Sequence, residues 1–144
     1  MAQITDDIRR NLVEKAIAAR EKAYAPYSKF PVGAAVLGVD GNIYTGCNIE
    51  NVSYGMTMCA ERTALFKMVS EGCTKFAAIA IVAGENATDG APCGACRQVM
   101  GEFAENLSET EVILASLKGD YITETVASIM PYPFVNFKPQ EEDK

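Results

Sequence analysis

The chain has 144 residues, about the size of one domain built on one core, and 49% of them are apolar. Thirteen Lys and Arg against 19 Asp and Glu leave a net charge of -6, which argues against a polyanionic partner such as DNA or RNA but not against a small neutral ligand. No apolar run is long enough to cross a membrane, and Met1 to Arg10 carry charge without the apolar stretch of a secretory signal, so a soluble, cytoplasmic protein is expected.

In chain order, residues 5–24 read as an amphipathic helix, with Ile8, Leu12, Ala16 and Ala19 at helical spacing and Thr5, Asp6 and Asp7 at its start. Ala25-Pro26-Tyr27-Ser28 ends it. Val32 to Val39 is an apolar run suited to a buried strand, Asp40-Gly41 is a hairpin turn, and Asn42 to Cys47 returns as a second strand. Asn48 to Met58 is polar and irregular, the composition of a binding loop. A helix follows over Cys59 to Ser70, closed near Gly72, then a buried strand over Phe76 to Ala83 and a loop over Glu85 to Ala91. Pro92 to Glu105 reads as a helix with proline at its entry. Glu111 to Ser116 and Tyr121 to Thr123 are short strands, followed by a helical turn that ends before Pro131. The segment 138–144 is a polar tail, leaving residues 1–137 as the folded domain. Strands and helices alternating after an opening hairpin predict an α/β layered domain with a mixed sheet.

Five cysteines and no histidine narrow the chemistry. The odd number of cysteines argues against a disulfide framework, which leaves metal binding or ordinary burial. The absence of histidine removes Ser-His-Asp triads, Cys-His pairs and HExxH zinc sites, so acid–base chemistry near neutral pH falls to a tuned carboxylate, Lys, Tyr or Cys.

Two segments concentrate that chemistry: Cys59-Ala60-Glu61-Arg62 and Pro92-Cys93-Gly94-Ala95-Cys96-Arg97. Both follow a loop and open a predicted helix. Cys93 and Cys96 share one side of a first turn. Helix N-termini offer free N–H groups and a positive dipole end, which favour the metal-binding thiolate. Alone, a CxxC is equally compatible with a redox motif or part of a structural zinc knot, and a lone Cys-Ala-Glu with a buried cysteine. Taken together, three thiolates with a nearby carboxylate fit a catalytic zinc, because structural sites are usually closed by four protein ligands whereas catalytic sites keep three.

The pair of segments resembles the signature of zinc nucleoside deaminases in its all-cysteine form. The likeness is wider than the signature. Ala23 to Phe30, Val32 to Ala35, Gly46-Cys47-Asn48-Ile49-Glu50-Asn51, Cys59 to Phe66 and Pro92 to Val99 are similar to segments of the homotetrameric cytidine deaminases, and the resemblance runs from about residue 9 to residue 134. It implies a three-layer α/β/α sandwich with a mixed five-stranded sheet, one zinc per chain, and hydrolysis of cytidine and deoxycytidine to the uridine nucleosides in pyrimidine salvage. It further implies that Cys59, Cys93 and Cys96 hold zinc and that Glu61 shuttles protons. Asn48 and Glu50 would hold the ribose hydroxyls, main-chain groups near Ala60 would fix the base, and Phe30 would stack on it. Phe134 would stack across a subunit boundary in a homotetramer, and Tyr54 would lie near a neighbouring subunit's site. The segment Met130-Pro131-Tyr132-Pro133-Phe134 departs from the family's Leu-Pro-x-x-Phe pattern. Unaided by the resemblance, Phe30 and Phe134 read equally as core residues.

Charge adds one expectation. Three thiolates around a dication leave a net charge of about -1, which weakens the metal as a Lewis acid. Arg62, next to Glu61, is placed to donate to the sulfurs and withdraw that charge; a surface arginine is the alternative. Two other readings of the whole stay open: a structural zinc module that binds a partner, and a related deaminase acting on blasticidin S, dCMP or a tRNA base. Nucleotide and tRNA deaminases resemble a His-Ala-Glu pattern where this chain has Cys-Ala-Glu.

Overall fold

The protein is described by a computed structural model covering residues 3–137, so the predicted tail at 138–144 lies outside the described residues. Helix α1 spans Asp6–Arg20, and its N-cap Thr5 accepts a hydrogen bond from the Ile8 amide. Strands β1 (Gly33–Gly38) and β2 (Ile43–Cys47) form the predicted hairpin. Helix α2 (Ala60–Ser70) leads to strand β3 (Phe76–Val82), and helix α3 (Gly94–Phe103) leads to strands β4 (Glu111–Ala115) and β5 (Tyr121–Thr125). Short 3-10 turns at Tyr54–Met56 and Ala87–Gly90 sit inside the two predicted loops.

The five strands make one mixed sheet in the order β2-β1-β3-β4-β5, in which only the β3–β4 pair is parallel. Strands β2 and β3 flank β1, each antiparallel to it, and so run in the same direction. Their carboxyl ends therefore lie at one edge of the sheet, and the chain leaves both towards a helix. That edge is where open α/β sheets place their ligands.

Period-2 alternation divides the strands between two cores. On one face, Val36, Ile79, Ile81, Val112 and Leu114 pack with Leu65, Met68 and Met100 of α2 and α3. On the other, Ala35, Ala78, Ala80, Val82, Ile113 and Ala115 pack with Leu12, Val13 and Ala16 of α1. The result is the expected three-layer sandwich. Alanines on the α1 side let that helix come close. At Gly33 a Cβ would sit 2.0 Å from the Ala16 carbonyl oxygen, so only glycine fits the crossing. On the opposite face Gly46 plays the same part for α2: a Cβ there would meet the Ala64 nitrogen at 2.5 Å and the Ala60 oxygen at 2.8 Å. Sequence Gly46 thus fixes how deeply the first turn of α2 seats on β2.

Most element ends lie one or two residues inside the sequence reading, and Pro92 precedes the N-cap Cys93 of α3 rather than opening the helix; two further boundaries differ for a tertiary reason. Helix α1 stops at Arg20 rather than residue 24, because Tyr24 is drawn into a parallel bridge with Ile49, donating to the Asn48 carbonyl at 3.0 Å and accepting from the Glu50 amide at 2.9 Å. Strand β5 runs on to Thr125, paired with Glu111. Across the sheet, Arg9 of α1 grips the Glu111 carboxylate of β4 with two bonds of 2.8 and 3.0 Å. Among the described residues, no helix is long and apolar enough to cross a membrane.

Candidate active site

Cys59 and Cys93 occupy the N-cap positions of α2 and α3, and neither side chain caps its own helix. Both sulfurs are therefore free to face outward from a helix start, with Cys96 one turn into α3. The three sulfurs lie within 4.8 Å of one another, and the Cys59–Cys93 Sγ separation is 4.0 Å. Four-coordinate zinc with Zn–S bonds of about 2.3 Å places sulfurs roughly 3.8 Å apart. The cluster fits that ion in donor type, number and spacing. Its burial is graded: Cys96 is buried, Cys59 half-buried and Cys93 exposed, leaving one side open.

Electrostatics favour thiolate at Cys59. A hydrogen bond from Cys96 first, and the neighbouring Arg62 next, hold the Cys59 thiol down at about 5. Donation to Cys59 and burial push Cys96 the other way when no cation is present. The Arg62 guanidinium sits with Nη2 3.4 Å from Cys59 Sγ, and its Nε is buried without a hydrogen-bond partner among the described residues. Glu61 is 4% exposed. Burial pushes its carboxyl up to about 7, and the Cys59 charge adds to the rise. A nearby dication acts in the opposite direction. A buried carboxyl held between these opposing influences can both take and return a proton.

A second group of predicted residues is assembled by the loop ahead of α2. Asn48 is buried; its Oδ1 accepts from the Val32 amide and its Nδ2 donates to the Phe30 carbonyl, both at 2.8 Å. Glu50 accepts from the Tyr27 and Ser28 amides at 2.9 and 3.0 Å and from the Ser28 hydroxyl. These bonds hold its carboxyl below the usual carboxylate range. The two groups are joined through the backbone: Ile49 and Met58 exchange a pair of hydrogen bonds, and Met58 immediately precedes Cys59. Ala60 is fully buried at the first position of α2.

The aromatic residues are exposed. Phe30 stands at the rim of the loop, and Tyr54, 74% exposed, packs edge-on to Tyr27 with ring centres 5.8 Å apart. Phe134, 72% exposed, lies elsewhere in the same chain: its carbonyl accepts from Gln98 of α3 at 2.7 Å and its ring leans on Phe137. Sequence reasoning gave no role to Ser28, Arg97 or Gln98. Arg97 binds the carbonyls of Pro92 and Ile129 at 2.9 and 2.7 Å, tying the chain before Cys93 to the C-terminal segment. Only its place beside the CxxC hinted at this.

Comparison with known proteins agrees with this geometry. Residues 6–109 match the family model described as the cytidine and deoxycytidylate deaminase zinc-binding region. A cytidine deaminase from Sporosarcina psychrophila is 57% identical over 128 residues, covering 85% of this chain and 90% of its own. One from Halalkalibacterium halodurans is 52% identical over 126 residues, covering 88% and 93%. The crystal structure of cytidine deaminase from Burkholderia pseudomallei superposes with a TM-score of 0.79 at 47% identity, covering 91% of this chain and all of that one. Likeness of that extent, with both cysteine segments inside the matched region, settles the membership: the chain belongs to the zinc-binding cytidine and deoxycytidylate deaminase family.

Proposed function

We propose that the protein catalyses zinc-dependent hydrolytic deamination of cytidine and deoxycytidine, releasing ammonia and the uridine nucleosides, as one deaminase domain over residues 1–137 serving pyrimidine salvage. The observation that carries this reading is a buried carboxyl, Glu61, two residues from one of three converging sulfurs. Cys59, Cys93 and Cys96 would hold the zinc, which when bound supplies the Lewis acidity that makes a water nucleophilic near neutral pH. Glu61 takes the proton from that water and delivers it to N3 of the cytosine ring, leaving C4 electrophilic. The water oxygen bonds to C4, Glu61 then carries the remaining hydroxyl proton from that oxygen to the amino nitrogen, and the C4–N bond breaks to release ammonia. One carboxyl thus serves as base and then acid.

Arg62, against Cys59 Sγ, withdraws charge from the thiolates. Arg62→Gln should lower kcat more than it weakens ground-state binding and should move the pH profile; an unchanged profile would leave Arg62 a structural residue.

Asn48 and Glu50 support a sugar-bearing substrate. A site built to pair hydroxyls rejects analogues that leave its polar groups unmatched, commonly by ~10²-fold or more. Cytidine and deoxycytidine should therefore exceed free cytosine in kcat/KM by about that factor, and Glu50 should disfavour phosphorylated sugars to a smaller degree. A substrate panel followed by the falling cytidine absorbance tests this, and equal kcat/KM for cytosine and cytidine would overturn it.

The exposed rings support a homotetramer with shared sites. Phe134 and Phe137 near one end and Phe30, Tyr54 and Tyr27 on the loop are more open apolar surface than a lone chain normally shows. In this reading Phe134 stacks on the base bound by a neighbour and Tyr54 approaches another neighbour's site. A stacked ring contributes about 0.5–1.5 kcal/mol beyond area burial, so Phe134→Ala should raise KM several-fold with zinc retained. Mixing Cys93→Ala chains with Phe134→Ala chains should restore the wild-type KM; no restoration at any ratio would count against a donated ring. The five unpaired cysteines support a reducing, cytoplasmic setting, and cell fractionation should recover the activity with the cytosol.

A further inference from the structure

Phe30 and Glu50 stand on separate segments, yet one hydroxyl touches both. Ser28 Oγ donates to Glu50 Oε2, and the same oxygen accepts the Phe30 amide at 3.0 Å. Its only proton is committed to the carboxylate and a lone pair to the Phe30 backbone. At Glu50, Oε1 takes the Tyr27 and Ser28 amides at 2.9 and 3.0 Å. A carboxylate offers about four acceptor positions, and three are filled by residues 27 and 28. The remaining one, on Oε2, is left for a ligand hydroxyl, and its direction is set by the Ser28 bond. The far end of Phe30 is held as well, since its carbonyl accepts from Asn48 Nδ2 at 2.8 Å. Lys29, between these anchors, has φ +58°, a left-handed conformation that a lysine keeps only where its surroundings impose it.

We propose that Ser28 is a positioning residue whose hydroxyl locks the Glu50 carboxylate and the Phe30 ring into one unit, so that recognition of the sugar and recognition of the base are coupled. The proposal rests on the nucleoside reading above. Ser28 is exposed, so Ser28→Ala opens no buried cavity and water can satisfy the Phe30 amide.

The test compares wild type, Ser28→Ala and Ser28→Thr, each with zinc content and Tm recorded. Turnover of cytidine and of free cytosine is measured, together with calorimetric binding of uridine. Ser28→Ala should keep zinc and Tm, raise KM for cytidine with little change in kcat, and cut the cytidine-over-cytosine preference roughly tenfold, the usual consequence of losing one charge-assisted hydrogen bond. Ser28→Thr, which keeps the hydroxyl, should retain the preference. A double-mutant cycle of Glu50→Ala with Phe30→Ala, read in uridine affinity, should show coupling in the wild-type background and additive effects once Ser28 is alanine. Wild-type affinity and preference in Ser28→Ala, or equal coupling in both backgrounds, would overturn the role of Ser28 while leaving the deaminase reading intact. A wild type that neither turns over cytidine nor binds uridine would overturn both.

Discussion

A protein carrying Cys93→Ala and Cys96→Ala together should contain no zinc after purification and show no measurable turnover of cytidine. The reasoning is geometric and electrostatic at once. Cys93 sits at the N-cap position of α3 without capping it and Cys96 lies one turn in, so both sulfurs reach the Cys59 sulfur only because the two helices start side by side at the carboxyl ends of β2 and β3. Removing two of three thiolates leaves Cys59 alone with Arg62, a set with no affinity worth the name for a dication. Cys96 is one member of the core on the α2 and α3 side and Cys59 packs against that core, but the core on the α1 side contains neither, so the variant should remain folded, with a lowered Tm from the lost metal and from the small void at buried Cys96. Cys47→Ala, outside the cluster, should keep its zinc. Metal analysis of the purified proteins checks both statements, and full zinc content in the double variant would reject the assignment of the ligands.

Glu61→Gln should keep zinc and fold while activity falls by at least ~10²–10⁴, the usual contribution of a positioned proton-transfer group. Glutamine matches the side chain in shape but can neither accept the water's proton nor hand one to the ring nitrogen. Because Glu61 is 4% exposed and its carboxyl is raised to about 7 chiefly by burial, the neutral amide spares the fold the desolvation of a charge. Stability should therefore hold or rise slightly in the variant, separating loss of chemistry from loss of structure. Near wild-type turnover with glutamine in place would rule out the shuttle role. Rate and thermal melts on one preparation are enough to decide.

Much of this was legible in the sequence because the strongest local signals agreed with the tertiary outcome. The apolar runs of β1 and β3 are buried on both faces and could be little else. Both cysteine segments sit where a loop becomes a helix, and the absence of histidine narrowed the acid–base group to a carboxylate, Lys, Tyr or Cys. Misjudged boundaries share one cause: a distant partner outweighed local preference. Residues 21–24 have helical composition, but the bridge of Tyr24 to Ile49 pulls the chain into extended form. The polar run Thr123-Glu124-Thr125 lacks apolar alternation, and only its pairing with Val112 and Glu111 makes it strand. The tethers around the second group were hidden for a related reason. Asn48 clamps Phe30 and Val32, and Glu50 collects the amides of residues 27 and 28, through side-chain bonds to backbone over 16 to 23 residues of chain. Such bonds leave no periodic trace, so the sequence offered Asn48 and Glu50 only as sugar contacts and Ser28 not at all. Gly46 is similar: its need for a bare Cα comes from α2 lying against it, not from any turn signal nearby.

Hydrolysis at the three-cysteine site leaves an isotopic mark on its product. Zinc-loaded protein is incubated with cytidine in water enriched in oxygen-18, and uridine and ammonia are quantified by mass spectrometry and ammonia assay. One ammonia is expected for each uridine, with one solvent oxygen at C4 of every product molecule and a product yield at least ~10²-fold lower with Glu61→Gln. Zinc-loaded wild-type protein that releases no ammonia from cytidine, or uridine formed without solvent oxygen at C4, would contradict hydrolysis at this site.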